Sequence, residues 1–268
     1  MSADTPSMDL APGASPVRRA WLRFRSNRLG FWSLILFAVL VSVSLAAELV
    51  SNDRPLVVRY EGQLYFPMVK DYPETTFGGD FETEAVYRDA YVQKLIEQDG
   101  DGWMIWPPIR YGSSTINYDL GRPAPAPPSG ENWLGTDDQG RDVLARLIYG
   151  FRISVLFGLL LTFISSAIGI ASGAVQGYFG GWTDLLLQRL LEIWSGLPQI
   201  YLLIILAAVV EPNFWWLLLI MVLVSWMSLV DLVRAETLRA RNLDFVRAAR
   251  ALGAGDGWIM GRHVLPNA

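Results

Sequence analysis

Uncharged apolar runs alternate along this chain with polar stretches whose charges are sorted by sign. Residues 29–47 hold no charge, and about nineteen residues at ~1.5 Å each come close to the roughly 30 Å hydrocarbon thickness of a bilayer. With its flank, 29–50 reads as a first transmembrane helix, and further spans fall at about 151–176, 184–210 and 214–233. The pattern predicts an all-α polytopic membrane protein. The tail, 1–28, is polar at its start and reads as disordered there. It then turns basic, with Arg18, Arg19, Arg23, Arg25 and Arg28 around Trp21 and Phe24. Those arginines place the N-terminus in the cytoplasm. A secretory leader shares the basic start, but its apolar core is shorter and its basic region begins nearer the chain start. Four crossings return the chain to the cytoplasm, and Arg239, Arg241, Arg247, Arg250 and Arg262 in 234–268 agree with that side.

Between the first two spans, 51–130 is acidic and aromatic and reads as a small α+β extracytoplasmic insert. Residues 57–66 predict a hairpin around Glu61-Gly62. Residues 82–98 predict a helix with Tyr87, Ala90, Tyr91 and Leu95 on one side. Trp103, Trp106, Pro107 and Pro108 read as a packed loop at the membrane edge, and 123–128 as a stiff polyproline spacer. Paired catalytic carboxylates are not expected. Glu82 and Glu84 diverge on a helix, and Asp99-Gly100-Asp101 lacks the bidentate Glu of a calcium loop. A solvated acidic surface accounts for them.

The helix after 131 is predicted to be capped by Thr136 or Asp137. Arg141, Arg146 and Arg152 read as membrane-interface anchors, and Gly158, Gly169 and Gly173 as places where helices approach closely. A tight turn is expected over 176–184. In the third span Arg189 and Glu192 are spaced to pair, as a functional pair or as a snorkelling one, and Gly196 and Pro198 predict a kink. Residues 211–213 turn the chain, and the fourth span ends at Asp231 and Arg234.

Composition narrows the classes. Half the chain is hydrophobic, 52%, with positive mean hydropathy, which excludes an ordinary soluble domain. There is no Cys, and His263 is the one histidine, so neither a thiolate metal site nor a His cluster is available. Lys70 and Lys94 do not follow a Gly-rich run, so the chain has no phosphate loop. Any ATP it uses is hydrolysed in another subunit, and no cofactor is expected on this chain. The net charge of −4 says little, because the charges are segregated.

The most informative stretch is 243–265. Phe245, Ala248, Ala249 and Leu252 fall on one helical face, with Arg247 and Arg250 off it. Asn242 or Asp244 can cap the start, and Gly253 sits where a left-handed terminal residue belongs. Asp256 can cap a second short helix, and Pro266 suits the first turn of a third. By shape alone this is a juxtamembrane amphipathic helix resting on anionic lipid.

The order of residues resembles the EAA loop of ABC-importer permeases, a Glu-Ala-Ala followed by Gly and then Leu-Pro. The matching positions are Arg247-Ala248-Ala249, Gly253 and His263-Val264-Leu265-Pro266. In that family the loop is the cytoplasmic coupling helix that docks on the ATPase. The resemblance implies Phe245, Arg247, Ala248, Ala249, Leu252, Gly253, Asp256, Trp258, Leu265 and Pro266 as coupling residues. One departure is Arg247, where the family has Glu, so any ion pair there must change sign. Another is Asp231, near which many relatives are basic.

Leu134-Gly135-Thr136-Asp137 with Gly140-Arg141-Asp142, Arg146, Gly150, Arg152 and Ser154 also resembles the opening of the transport domain in the oligopeptide/dipeptide/nickel branch. The acidic 72–84 is similar to the Yej-type permeases for microcin C and oligopeptides. The resemblance runs from about Asn27 onward. It implies an ABC importer type I transmembrane domain over 131–268, with four spans present and two expected spans missing beyond Ala268. It implies a bacterial inner-membrane location and a pathway lined near Glu192, Gly196 and Pro198. The implied partners are a second permease subunit in a heterodimer, two ATPase subunits holding ATP and Mg, an extracytoplasmic peptide-binding protein and the bilayer; nothing points to nucleic acid. A membrane-tethered sensor or enzyme working through the acidic segment is the competing reading. An exporter half is disfavoured, because exporters usually carry their own ATPase.

Overall fold

The computed structural model describes residues 16–98, 100–211 and 213–267. The disordered start read over 1–15, Asp99 of the calcium-loop comparison, Pro212 of the predicted turn and the terminal Ala268 lie outside them. The chain divides into two units, 1–153 and 154–268.

In the first unit, α1 (Pro16–Ser26) ends at Asn27, whose Oδ1 accepts from the Gly30 amide and caps α2 (Arg28–Leu45). α3 (Ala47–Val50) follows. β1 (Val57–Tyr60) and β2 (Gln63–Tyr65) pair antiparallel with Tyr60 opposite Gln63. The turn residues Glu61 and Gly62 both have positive φ, 48° and 72°, the twist-matched hairpin geometry. β3 (Trp103–Ile105) pairs with the other edge of β1, giving the order β2-β1-β3. Trp103 is therefore a strand residue, not part of a membrane-edge loop.

The helix expected from Glu82 starts later, as α4 (Ala90–Gln98). Residues 83–85 run extended instead, because the Glu74 amide donates to the Thr83 carbonyl and the Ala85 amide to the Tyr72 carbonyl. The buried side of α4 is Val92 and Ile96, one turn apart, rather than Ala90, Tyr91 and Leu95. They close a core with Val58, Ala85, Tyr87 and Phe77. The Phe77 ring meets Tyr60, Tyr65 and Tyr87 edge to face with centroids 5.3–5.6 Å apart, an arrangement that adds to simple burial. The acidic surface is partly neutralised: Arg54 pairs with Asp71 and Glu84, and Arg59 with Asp101.

The proline-rich stretch is tied down and is not a spacer. The Ala126 amide donates to Thr136 Oγ1, and the Thr136 amide donates back to the Ala126 carbonyl, both at 2.9 Å. A Cβ on Gly135 would sit 2.4 Å from that carbonyl. Thr136 is thus engaged elsewhere, and the cap of α5 (Val143–Phe179) is Asp142, whose Oδ1 accepts from the Ala145 amide at 2.7 Å. Its other oxygen accepts from Asn132, which in turn accepts from Asn117, a buried chain of polar side chains. Asp137 instead accepts from the Gln139 and Arg141 amides and from the Arg141 and Arg146 side chains. Desolvation would raise its pKa, but these donors outweigh it and hold the carboxyl down at about 2. Arg141 and Arg146 are therefore occupied with Asp137, and Arg152 with Glu48 at 2.7 Å.

α5 carries the chain into the second unit. Its 37 residues rise ~55 Å, well over the thickness of a bilayer. It continues through 176–179, so the turn predicted there is confined to Gly180 and Gly181, at φ 64° and 52°. The kink predicted at Gly196 and Pro198 takes the form of a break: α6 (Gly181–Ser195) and α7 (Gln199–Val209) meet at 71°. Pro198, which cannot donate to a preceding carbonyl, stands before α7. Asn213 caps α8 (Phe214–Ser225) through the Trp216 amide, and α9 (Met227–Ala240) follows at Trp226. Among the described residues α2, α5 and α8 with α9 are long and apolar enough to cross a membrane, and α6 with α7 makes a fourth span if counted as one.

Two features hold the second unit together. A Cβ added at Gly169, Gly173 or Gly177 would lie 2.6 Å from an atom of Trp226, Val230 or Thr237, respectively. The glycines recur once per turn and let the backbones of α5 and α9 approach. Gly158 faces open space instead. Arg234 makes a two-pronged pair with Asp184 at 2.5 and 2.6 Å, the geometry that favours arginine.

Candidate coupling surface

The chain leaves α9 and folds back into α10 (Asp244–Ala251) and α11 (Asp256–Ile259). Leu243 begins α10 without a side-chain cap. Asn242 lies one residue before the cap position, where its amide nitrogen donates to the Leu238 carbonyl, and Asp244 is already in the first turn. The end is well determined. Gly253 has φ 82°, its amide donates to the Arg250 carbonyl, and the Ala254 amide reaches back to the Ala249 carbonyl. This is the double hydrogen bond of a Schellman ending.

Asp256 does not cap α11; Gly255 precedes the helix. The Asp256 carboxylate accepts from the Tyr178 hydroxyl at 2.6 Å, and Arg250 donates to the same hydroxyl at 2.9 Å. Tyr178, near the end of α5, thus clamps α10 and α11 on either side of the Gly253 turn. Arg241 adds to this by donating to the Gly177 and Tyr178 carbonyls at the end of α5. α11 runs without a break into a wide turn, Met260–Val264, and then Leu265–Asn267. Pro266 therefore continues an existing helical run and does not restart one. The Leu265 amide donates five residues back, to Met260.

The apolar face read from the sequence is divided in two. Ala249 turns inward with Val246, three residues apart, to join Ile259, Val264, Tyr178, Ala240, Ala254 and Met260 in a core. Phe245, Ala248 and Leu252 turn outward with Trp258. Leu252 is 87% exposed and Trp258 52%. His263 lies between Trp258 and Phe245, with ring centroids 4.7 and 6.2 Å away. Arg247 and Pro266 are exposed and Leu265 is half-buried. Nothing in the apolar spacing singled out Val246, Ile259, Val264 or Tyr178. Val246 and Ala249 do share a face, and their pairing was the signal available.

The other candidates lie apart in sequence, around the α6–α7 break. Glu192 pairs with Arg189, the Gly196 amide donates to the Glu192 carbonyl at 3.1 Å, and Pro198 opens α7. Among the described residues no cluster of His, Asp and Glu could hold a metal ion.

These features define a helical membrane protein that presents a rigid, partly apolar elbow after its last apolar helices. Residues 165–268 match the family described as binding-protein-dependent transport system inner membrane component, and 15–64 match the N-terminal TM domain of oligopeptide transport permease C. The chain is 56% identical over 255 residues to the inner membrane ABC transporter permease protein YejE of Escherichia coli, covering 95% of this chain and 74% of that protein. It is 50% identical to the peptidoglycan transport system permease protein YejE of Agrobacterium fabrum, over 96% of this chain and 73% of that one. Against the oligopeptide transport system permease protein OppC of Bacillus subtilis, identity is 33% over 59% of this chain and 51% of that one.

The chain belongs to the ABC transporter permeases of the inner membrane, in their OppC-like, Yej-type branch. It has the type I transmembrane domain of that family and is a transport component rather than an enzyme, which sets aside the enzyme reading of 51–130. The family implies a partner ATPase and a substrate-binding protein.

Proposed function

We propose that this chain is a membrane subunit of an importer for oligopeptides, microcin C-like peptides included, and that the elbow at 243–265 receives the push of a separate ATPase. The observation that carries the proposal is the outward face of Phe245, Ala248, Leu252 and Trp258 on a loop whose shape is set by its own backbone and by Tyr178. An exposed apolar patch beside exposed arginines suits a helix-in-groove contact. Arg247, in place of the family's Glu, calls for an acidic group on the partner.

The charge pattern supports an N-terminus and an elbow in the cytoplasm. A second permease subunit as heterodimer partner, two ATPase subunits holding ATP and Mg, and an extracytoplasmic peptide-binding protein complete the assembly. Glu192, Gly196 and Pro198 at the α6–α7 break line the path. The names of relatives, among them oligopeptide and peptidoglycan transport permeases, support the oligopeptide cargo, and the resemblance of 72–84 to the Yej-type permeases supports microcin C-like peptides.

Leu252→Asp tests the reading. The side chain is almost fully exposed, so the fold should persist, while a charge in an apolar groove costs about 2–4 kcal/mol of docking, roughly thirtyfold or more in affinity. Reconstituted with its partners, the variant should lose ATPase binding and peptide-dependent ATP hydrolysis. Wild-type binding by Leu252→Asp would refute docking through this face.

A further inference from the structure

In the first unit Arg54, Arg59, Arg141, Arg146 and Arg152 each pair with a carboxylate. Arg88 and Arg110 do not: among the described residues no carboxylate lies within ion-pair distance of either, although the segment around them is rich in acids. Both are held by aromatic rings instead. The Arg88 guanidinium carbon is 4.0 Å from the centroid of Tyr111, which is itself buried, and that of Arg110 is 5.4 Å from the centroid of Trp106. These contacts hold the two guanidiniums against the rings, Arg88 also donating to the Tyr111 hydroxyl, and a guanidinium held this way keeps further N–H donors for a ligand. All four side chains line one cavity of about 330 Å³.

Glu131 lines it too and accepts from the Tyr111 hydroxyl at 3.2 Å. Two guanidiniums against one carboxylate leave one excess positive charge, which a monoanion neutralises. Forked donors match a carboxylate in two-pronged fashion. Arg88 also lines a second cavity, of about 650 Å³, whose other charged groups are Asp53, Glu84, Asp89, Asp119 and Arg54, the last paired with Glu84. Arg88 is thus common to a cavity with an excess of arginine and one with an excess of carboxylates.

We propose that the Arg88–Arg110 cavity binds the terminal carboxylate of a short peptide, whose amino end lies toward the carboxylates of the larger cavity. The choice of a peptide rests on the transport reading above. The site is separate from the elbow, and its test reads binding alone, so either reading can fail without the other.

The test is calorimetry of the whole chain in nanodiscs, with trialanine, trialanine amide and inorganic phosphate as probes. Trialanine should bind, and its amide should bind about tenfold to a hundredfold more weakly, the value of charge-assisted hydrogen bonds. Arg110→Gln should weaken trialanine to the same degree, with Arg110→Lys in between because it keeps the charge but not the fork. Arg122→Gln, an exposed arginine outside the cavity, should change nothing. Arg110 is exposed, so its variants should keep the wild-type unfolding midpoint. Equal binding of acid and amide, wild-type affinity in Arg110→Gln, equal loss in Arg122→Gln, or displacement of trialanine by equimolar phosphate would each overturn the proposal.

Discussion

Gly253 is the position where backbone and coupling can be separated from packing. Its φ of 82° lies in the left-handed region, and a Cβ built there meets nothing within 4 Å. A larger side chain therefore meets no steric obstacle; the cost is conformational, about 1–2 kcal/mol for a residue with a Cβ and more for a β-branched one. That shifts the balance between the formed and the opened turn by about 5- to 30-fold. Opening loses the Gly253-to-Arg250 and Ala254-to-Ala249 hydrogen bonds and frees α11 from α10. The expected order is Gly, Asn, Ala, Val, with Asn tolerated because it enters the left-handed region most readily of the three. The assay is peptide taken up per ATP hydrolysed in proteoliposomes carrying the assembled transporter. Gly253→Val should lower this ratio severalfold while ATP is still hydrolysed. Gly257→Ala, also in open space but in ordinary helical backbone, is the control and should be silent. A wild-type ratio in Gly253→Val, or an equal loss in Gly257→Ala, would refute the reasoning.

Two further outcomes are expected. Gly173→Ala forces a Cβ to 2.6 Å from the Val230 carbonyl and should destabilise the second unit by about 1–3 kcal/mol, whereas Gly158→Ala, in open space, should be neutral or stabilising; equal unfolding midpoints in detergent for both variants would contradict the close approach of α5 and α9. Asp137, with its carboxyl held at about 2 against an ordinary 3.8, contributes stability that is fully present above about pH 4 and is lost as pH falls toward 2. The gap in melting temperature between wild type and Asp137→Asn should therefore close over that interval, and a gap that stays constant would sink the assignment.

Periodicity revealed what depends on local chain properties. The first span, the Glu61-Gly62 hairpin and the left-handed Gly253 follow from apolar length, turn chemistry and the lack of a Cβ. It failed where distant partners decide. Residues 83–85 were drawn out of a helix by the backbone groups of Tyr72 and Glu74, and Thr136 was drawn from a cap by Ala126. Asp142 took the cap instead because Asn132 and Asn117 hold its carboxylate in place. The elbow shows both sides of this. The spacing of Phe245, Ala248, Ala249 and Leu252 marked one apolar stripe, but Ala249 also falls on a face with Val246, and it is that pair that turns inward. Which face turns inward depends on Tyr178, far away in sequence, and on Ile259 in the next helix.

The coupling role proposed above requires displacement to be passed on without being absorbed, and the second unit has the connections for that. Tyr178 ties α10 and α11 to the end of α5, and Arg241, from the end of α9, hydrogen-bonds the carbonyls of Gly177 and Tyr178. Directly above this joint the Gly169, Gly173 and Gly177 series sets α5 against α9 at backbone distance, where no long side chain is left to yield. Arg234 then fastens α9 to Asp184 on α6, and α6 leads to the 71° break that holds Gly196 and Pro198. A push on Leu252 or Trp258 thus meets a series of stiff contacts until that break, where the helical hydrogen bonding is interrupted and the chain can rotate. The compliant point of the unit is therefore expected at Gly196 and Pro198, away from the elbow itself.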